Sequence, residues 1–331
     1  MRLAATEAPF PVEPVFRVVP APRPLGAAPH VVLDDAWPAA LERRLARLRD
    51  DRDGVLVRSP GDSDDPSGLD GALVSAWRLL PCPRVGDVVV LPHLAAEVDL
   101  RAKRARATGP EVRGQAELLA TTGTELLAVG WLLASSDDLV VLRRTGPGAL
   151  AAELLAVAFP SGWSPRRRAG ASLAELHEPV ADGQRLLRAT AALSEALLTK
   201  GPYVQHVWGL DPSGRLDHDP SAPDARPPTS PPPQDWWLRV ERQTSLPLGD
   251  RALFTIRPYL TPLADLTRDQ QRTLAAAVRS LSPAARAYKG VPDGLAEWLS
   301  SASGRPDSSP PAPAACPAAP APDARAGPAA R

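Results

Sequence analysis

The chain has 331 residues, 44% of them hydrophobic, with 38 basic against 38 acidic side chains and a formal net charge of zero. That length and apolar content can fill one large core or two small ones and exclude disorder throughout, while the balanced charge removes any general attraction to nucleic acid or anionic lipid. Two cysteines far apart, Cys82 and Cys316, exclude a disulfide framework and a thiolate metal site.

Residues 1–30 are Pro-rich and read as an extended segment. Asp35 then offers an N-cap, Pro38 falls in a first turn, and Leu41, Leu45 and Leu48 mark one face of an amphipathic helix. Its other face carries Arg43, Arg44 and Arg47, expected as a solvated stripe. A second helix is expected over 69–80 and a strand, interrupted by Gly86, over 85–91. The basic run Arg101-Ala-Lys-Arg-Ala-Arg is expected as a solvated helix face. From 110 to 133 one long helical pattern runs with weak points at Gly123 and Gly130, followed by strands over 139–142 and 150–159. Between those strands, Gly146-Pro147-Gly148-Ala149-Leu150-Ala151 matches a dinucleotide fingerprint in form. Pro147 removes a backbone N–H that a phosphate would need, so the hexapeptide reads as a hairpin turn.

The most constrained stretch is Phe159-Pro-Ser-Gly-Trp-Ser-Pro-Arg-Arg-Arg-Ala-Gly-Ala-Ser-Leu-Ala-Glu-Leu-His-Glu-Pro-Val180. Pro160 and Pro165 fix φ around Gly162 and Trp163, a rigid turn that suits a pocket wall. A short helix over 171–176 is stopped by Pro179 just after His177. By chemistry alone, such a histidine is either a capping or surface residue or a ligand. Next come a helix over 184–198 and a strand over 203–210. Residues 211–233, with eight prolines, read as a flexible surface insertion. Strands are expected over 236–243 and 252–257, helices over 262–281 and 293–300, and a disordered Pro/Ala tail over 301–331. The domain proper is therefore expected over 31–300. With no signal-peptide-like start and no run approaching about 18 apolar residues, a cytoplasmic protein is expected, without membrane or nucleic-acid partners.

Two motifs taken together resemble one family. Phe-Pro-Ser-Gly-Trp-Ser-Pro with Leu176-His177-x-Pro-Val, then Arg239-Val-Glu-Arg-Gln-Thr244 and Phe254-Thr-Ile-Arg-x-Tyr-Leu260, are similar to the alpha subunit of haem-dependent oxidative N-demethylase, also called dimethylamine monooxygenase. Weaker matches at Phe16-Arg17, Arg23-Pro24-Leu25 and Asp137-Asp138-Leu139 fall in the same order, so the resemblance covers roughly residues 10–300. It implies an α+β fold with a PAS-like antiparallel sheet and flanking helices forming a haem pocket. The activity implied is O₂-dependent removal of a methyl group from a small secondary amine, giving primary amine and formaldehyde. The electrons would come from NAD(P)H through separate flavin/iron–sulfur reductase subunits. A non-catalytic haem-binding sensor or partner-binding module is the alternative.

A haem b site needs an axial ligand, an apolar wall and cations for two propionates. His177 is the axial candidate and His206 the runner-up. Phe159, Trp163, Phe254 and Ile256 are candidate walls, and Arg239, Arg242 and Arg257 candidate propionate partners. Strand alternation puts Arg239, Glu241 and Gln243 on one face and Val240 and Arg242 on the other. Glu241, the acid inside the second motif, is either the contact for a substrate ammonium or one half of a salt bridge with a neighbouring Arg. The chain departs from the family pattern at Arg166-Arg167-Arg168, Ser245–Leu248 and Pro258. No H-E-x-x-H, P-loop or G-x-S-x-G elbow occurs, which leaves a hydrolase or nucleotidase reading unsupported.

Overall fold

Alternating apolar residues in the second half of the chain build the sheet on which everything else packs. The computed structural model describes residues 6–18, 22–60, 66–223, 225 and 231–302. In chain order, β1 (Arg23–Pro24), α1 (Trp37–Val55), β2 (Leu56–Arg58) and α2 (Pro66–Trp77) come first. A small meander follows, made of β3 (Arg84–Val85), β4 (Val88–Leu91), β5 (Ala96–Asp99) and β6 (Arg104–Ala107). Helices α3 (Gln115–Leu119) and α4 (Gly123–Ala134) lead into the hairpin β7 (Asp138–Gly146) and β8 (Ala149–Ala156). After α5 (Leu173–His177) and α6 (Gln184–Thr199) come β9 (Tyr203–Asp211), β10 (Trp237–Leu248) and β11 (Arg251–Pro262). Helices α7 (Arg268–Ser280), α8 (Pro283–Tyr288) and α9 (Leu295–Ala302) complete the described part. The large sheet runs β1-β9-β10-β11-β7-β8-β2, antiparallel between all neighbours. No described helix is long and apolar enough to cross a membrane.

The mixed α+β architecture is the expected one, and the turn at Pro147–Gly148 joins β7 to β8 as a hairpin, with Gly148 at φ 64°. Several elements differ. Gly86, at φ 59°, turns the chain between β3 and β4 rather than interrupting one strand. The basic run 101–106 forms the turn and second strand of the β5–β6 hairpin, not a helix, since Arg104 and Arg106 pair across to Asp99 and Glu97. Gly123, at φ 66°, breaks the long helical pattern into α3 and α4. Helix α7 begins at Arg268, with Thr267 and Gln270 forming a capping box, because β11 continues to Pro262. Pro258 is tolerated inside that strand since pairing with β7 ends at Ile256, so its missing N–H breaks no bond on that side. Residues 211–223 are pinned rather than loose: Asp211 holds the amides of Ser213 and Gly214, and Asp217 meets Arg47 at 2.8 Å. The remainder of the proline-rich insertion and nearly all of the expected tail lie outside the described residues.

Period-two alternation divides the sheet into two faces. On the front, Val140, Leu142, Ala152, Leu155 and Ala252 pack with Leu173 of α5 and Leu197 of α6. On the back, Leu139, Val141, Leu154 and Leu253 pack with α1, α2 and α4, and Leu238, Val240 and Tyr259 with α7 and α9.

The back holds a buried polar core organised by the end of α4. The last carbonyls of a helix have no partner within it, and here side chains from far away supply the donors. Arg44, fully buried, donates to the carbonyls of Leu132, Ser135 and Ser136 and to Asp138. Trp37 Nε1 donates to Leu133 O at 3.1 Å. The expected solvated stripe therefore holds for one of its three arginines: Arg43 is exposed, but Arg44 and Arg47 face inward, Arg47 among Asp51, Asp217 and Asp219.

Asp137 is the incompletely satisfied carboxylate of this core. Its Oδ2 accepts from Thr255 Oγ1 at 3.2 Å, while its Oδ1 is buried without a partner among the described residues. Burial pushes its carboxyl up to about 6 from 3.8 against the pull of Arg257, Arg242 and Arg44. The folded state therefore keeps a proton that the unfolded chain releases, and this stability contribution is lost as pH rises from about 4 through 6. Asp137→Asn is expected to be the more stable protein by about 2–3 kcal/mol at pH 8, the difference vanishing below pH 4. Urea melts of both proteins at pH 4 and pH 8 check this, and equal differences at the two values contradict it.

Candidate functional site

The rigid turn and the two motif strands meet on the front face. Trp163, Leu176, Leu193, Phe254 and Ile256 pack at the border of the front apolar cluster, each only half-buried. Register places Gln243 opposite Ile256 and Gln205, and Glu241 opposite Pro258 and Val207. Those side chains extend the same face as a polar floor. The result is a candidate groove, a face that is apolar under α5 and α6 and polar toward β9.

His177 ends α5 beside this groove. Ser172 and Glu175 cap the helix reciprocally, which fixes where it starts, and five residues bring the imidazole to its last turn. Its Nδ1 lies 2.7 Å from the carbonyl of Leu173. Only an Nδ1–H can make that bond, so in the neutral ring Nε2 carries the lone pair. A backbone carbonyl setting the tautomer in this way is how ligating histidines are commonly oriented. His206, by contrast, stands across from Arg242 on the back face. Burial and the charges of Arg23 and Arg242 hold its pKa below the ordinary imidazole value.

The three arginines separate. Arg239 shares the groove face with Glu241, but its guanidinium is buried and occupied, donating to Glu241 Oε1 at 3.2 Å and to the carbonyls of Leu216 and Phe159 at 2.8 Å each. Arg242 and Arg257 lie behind the sheet. Arg242 donates to the carbonyls of His30 and Pro29, and Arg257 is held by both oxygens of Asp34 at 2.8 and 2.9 Å. To meet a carboxylate on the groove side, either would have to break these bonds and cross the sheet. Phe159 also faces the back, with Arg44 4.8 Å over its ring.

Glu241 is half-buried and held from both sides, by Arg239 and by Gln243 Nε2 at 3.2 Å; Gln243 in turn accepts from Gln205 at 2.8 Å. The salt bridge with a neighbouring Arg is thus present, and the carboxylate still faces the polar floor. Its field reaches α8, which sequence reasoning missed because six residues carry too short a pattern. Tyr288 has its phenol pushed up, first by burial and then by Glu241, with Arg168 opposing. Lys289 is lowered to about 8 by burial, against the pull of Glu241. It donates to Trp208 O at 2.7 Å and sits 4.8 and 4.7 Å from the rings of Phe16 and Trp208. Arg168 itself donates to the Glu175 carbonyl of α5 at 2.9 Å. Among the described residues no cluster of three or more His, Cys, Asp or Glu side chains could hold a bare metal ion.

Fold and site define an α+β protein whose antiparallel sheet carries on its front face a partly exposed apolar surface bordered by α5, the helix that ends in His177. Residues 105–295, more than half of the chain, match the family described as haem-dependent oxidative N-demethylase, alpha subunit-like, and the chain belongs to that family. No curated protein matches it.

Proposed function

We propose that the chain is the haem-binding, amine-binding subunit of an oxidative N-demethylase. The observation that carries this reading is the family match, which spans His177, Trp163 and both strand motifs. Three features of the chain support the fit of a haem. The order β8-β7-β11-β10-β9, with α5 and α6 inserted between hairpin and meander, is the arrangement expected of a PAS-like sheet with its pocket under the helices. His177 Nε2 supplies a lone pair, and Trp163, Leu176, Phe254 and Ile256 supply half-buried apolar surface. Arg168, half-buried and donating to the Glu175 carbonyl of α5 at 2.9 Å, takes the place of Arg242 and Arg257 as the candidate propionate partner.

Haem, when bound, supplies the oxygen-activating chemistry. The residues of the chain would do the rest. His177 would ligate through Nε2, its ring held by Leu173 O. Glu241, whose two oxygens each keep acceptor capacity beyond their present donors, would receive the N–H groups of a small ammonium. Arg239 positions that carboxylate. Trp163 would narrow the opening and exclude water, and a small secondary amine such as dimethylamine fits this pairing of apolar wall and single carboxylate. The sensor alternative shares the pocket and lacks only turnover.

Titrating the purified full chain with haemin tests the reading. A Soret band saturating at one haem per chain is expected, and its absence would overturn the proposal. Formaldehyde released from dimethylamine with an added reductase separates enzyme from sensor. With NADPH alone, little or no turnover is expected: a nicotinamide delivers a hydride, and the two cysteines cannot hold an iron–sulfur relay. Cys82 is moreover half-buried, its thiol pushed up to about 11. Stoichiometric formaldehyde without a reductase would contradict the need for a partner subunit.

A further inference from the structure

Beside Glu241 the front face carries two amides whose direction is forced. Strand alternation puts Gln243 on the same face as Glu241, and register sets Gln205 of β9 directly across from Gln243. A carboxylate paired with an arginine only accepts hydrogen bonds, so Gln243 must turn Nε2 toward Glu241 Oε2, at 3.2 Å. Its Oε1 then points away, where it accepts from Gln205 Nε2 at 2.8 Å. The other oxygen, Oε1 of Glu241, takes Arg239 Nε at 3.2 Å, and the rest of that guanidinium is fixed by the carbonyls of Leu216 and Phe159. Both ends of the carboxylate are thus tied, and each oxygen keeps a lone pair for a ligand. Arg239 is buried, whereas Gln205, Glu241 and Gln243 are half-buried, so this side of the carboxylate is open to solvent.

We propose that Gln243, oriented by Gln205, is a positioning residue for the amine ligand: it fixes the plane of the Glu241 carboxylate before the ammonium arrives. The inference rests on the reading of Glu241 as the ammonium contact. Arg239 already offsets the charge of Glu241, and a second cation at position 243 would leave the pair net positive and repel an ammonium. Glutamine supplies the second donor without charge. In its absence Oε2 is untied, the carboxylate turns about its last bond, and the ligand must order it on binding. Gln205 acts one step further out, by denying the Gln243 amide its flipped orientation.

Dimethylammonium chloride, titrated into the full chain by calorimetry and by ligand-observed NMR, tests it, with tetramethylammonium, which has no N–H, as the reference cation. Gln243→Met keeps the length of the side chain and removes its donor. It should bind dimethylammonium roughly three- to tenfold more weakly, the worth of ordering one side chain, and tetramethylammonium as before. Gln205→Met, which touches no atom of Glu241, should weaken dimethylammonium binding by a smaller factor. The double variant should be no worse than Gln243→Met alone, because the two amides act as one unit. Unchanged or tighter dimethylammonium binding in Gln243→Met, an equal loss for both cations, or losses that multiply in the double variant would each overturn the proposal. Glu241→Gln separates this inference from the reading beneath it. Dimethylammonium binding that is lost in Glu241→Gln but intact in Gln243→Met removes the positioning role alone. Binding that survives Glu241→Gln, or no saturable binding by the wild-type chain, removes Glu241 as the amine contact and the positioning role with it. If Gln243→Met does not fold, Gln205→Met carries the same comparison of the two cations from the neighbouring strand.

Discussion

Arg44→Met is expected to destabilise the protein by about 3–5 kcal/mol at neutral pH, the range for breaking a buried ion pair by removing one partner. The reason lies in what the guanidinium holds. It is fully buried, it bonds Asp138 at 3.0 Å, and it satisfies three carbonyls at the end of α4. Methionine fills much of the same space but donates nothing, so those oxygens would be left in a dry interior. Asp138 keeps the amides of Ala158 and Phe159, at 3.2 and 3.0 Å, which limits but does not remove the penalty. Adding Asp138→Asn to Arg44→Met should recover part of the loss, because the remaining uncompensated charge disappears. Urea unfolding of the single and double variants measures both effects. A loss below about 1 kcal/mol for Arg44→Met would mean that water reaches the site.

His177→Ala is expected to lower haem occupancy at least about tenfold or to move the iron spectrum to that of an unligated or water-ligated haem, whereas His206→Ala should leave it close to wild type. The prediction rests on the sheet. His177 sits on the front, with Nδ1 tied to Leu173 O and Nε2 available; His206 sits on the back, beside Arg242 and in the field of Arg23. For His206 to reach a group in the groove, β9 would have to turn over. Reconstitution of both variants with haemin, followed by the Soret band, measures the difference. Identical wild-type spectra from the two variants would remove His177 as the ligand, and loss in His206→Ala alone would move the pocket to the other face.

The amino-acid pattern by itself determined many of the local elements of this protein and the two faces of its strands. Pro147-Gly148 reads as a hairpin turn because a proline and a left-handed glycine leave the chain little else to do, and Pro179 ends the short helix at His177 for the same kind of steric reason. Alternation separated Arg239, Glu241 and Gln243 from Val240 and Arg242, and register carries that separation through the sheet. The motifs pointed to the family. What stands opposite each face was decided only by tertiary structure. Arg44 and Arg47 have the spacing of a solvated stripe, and helical periodicity cannot distinguish water from the open end of α4, 88 residues further on. Arg242 and Arg257 were expected to pair with haem propionates; Arg257 found Asp34, 223 residues away, and Arg242 two carbonyls near the start of the chain. Local sequence specifies φ, ψ and which side a residue points to, because those depend on neighbours a few positions apart. The partner that satisfies a buried charge is chosen by contacts between segments far apart in the chain, and no short-range pattern encodes them.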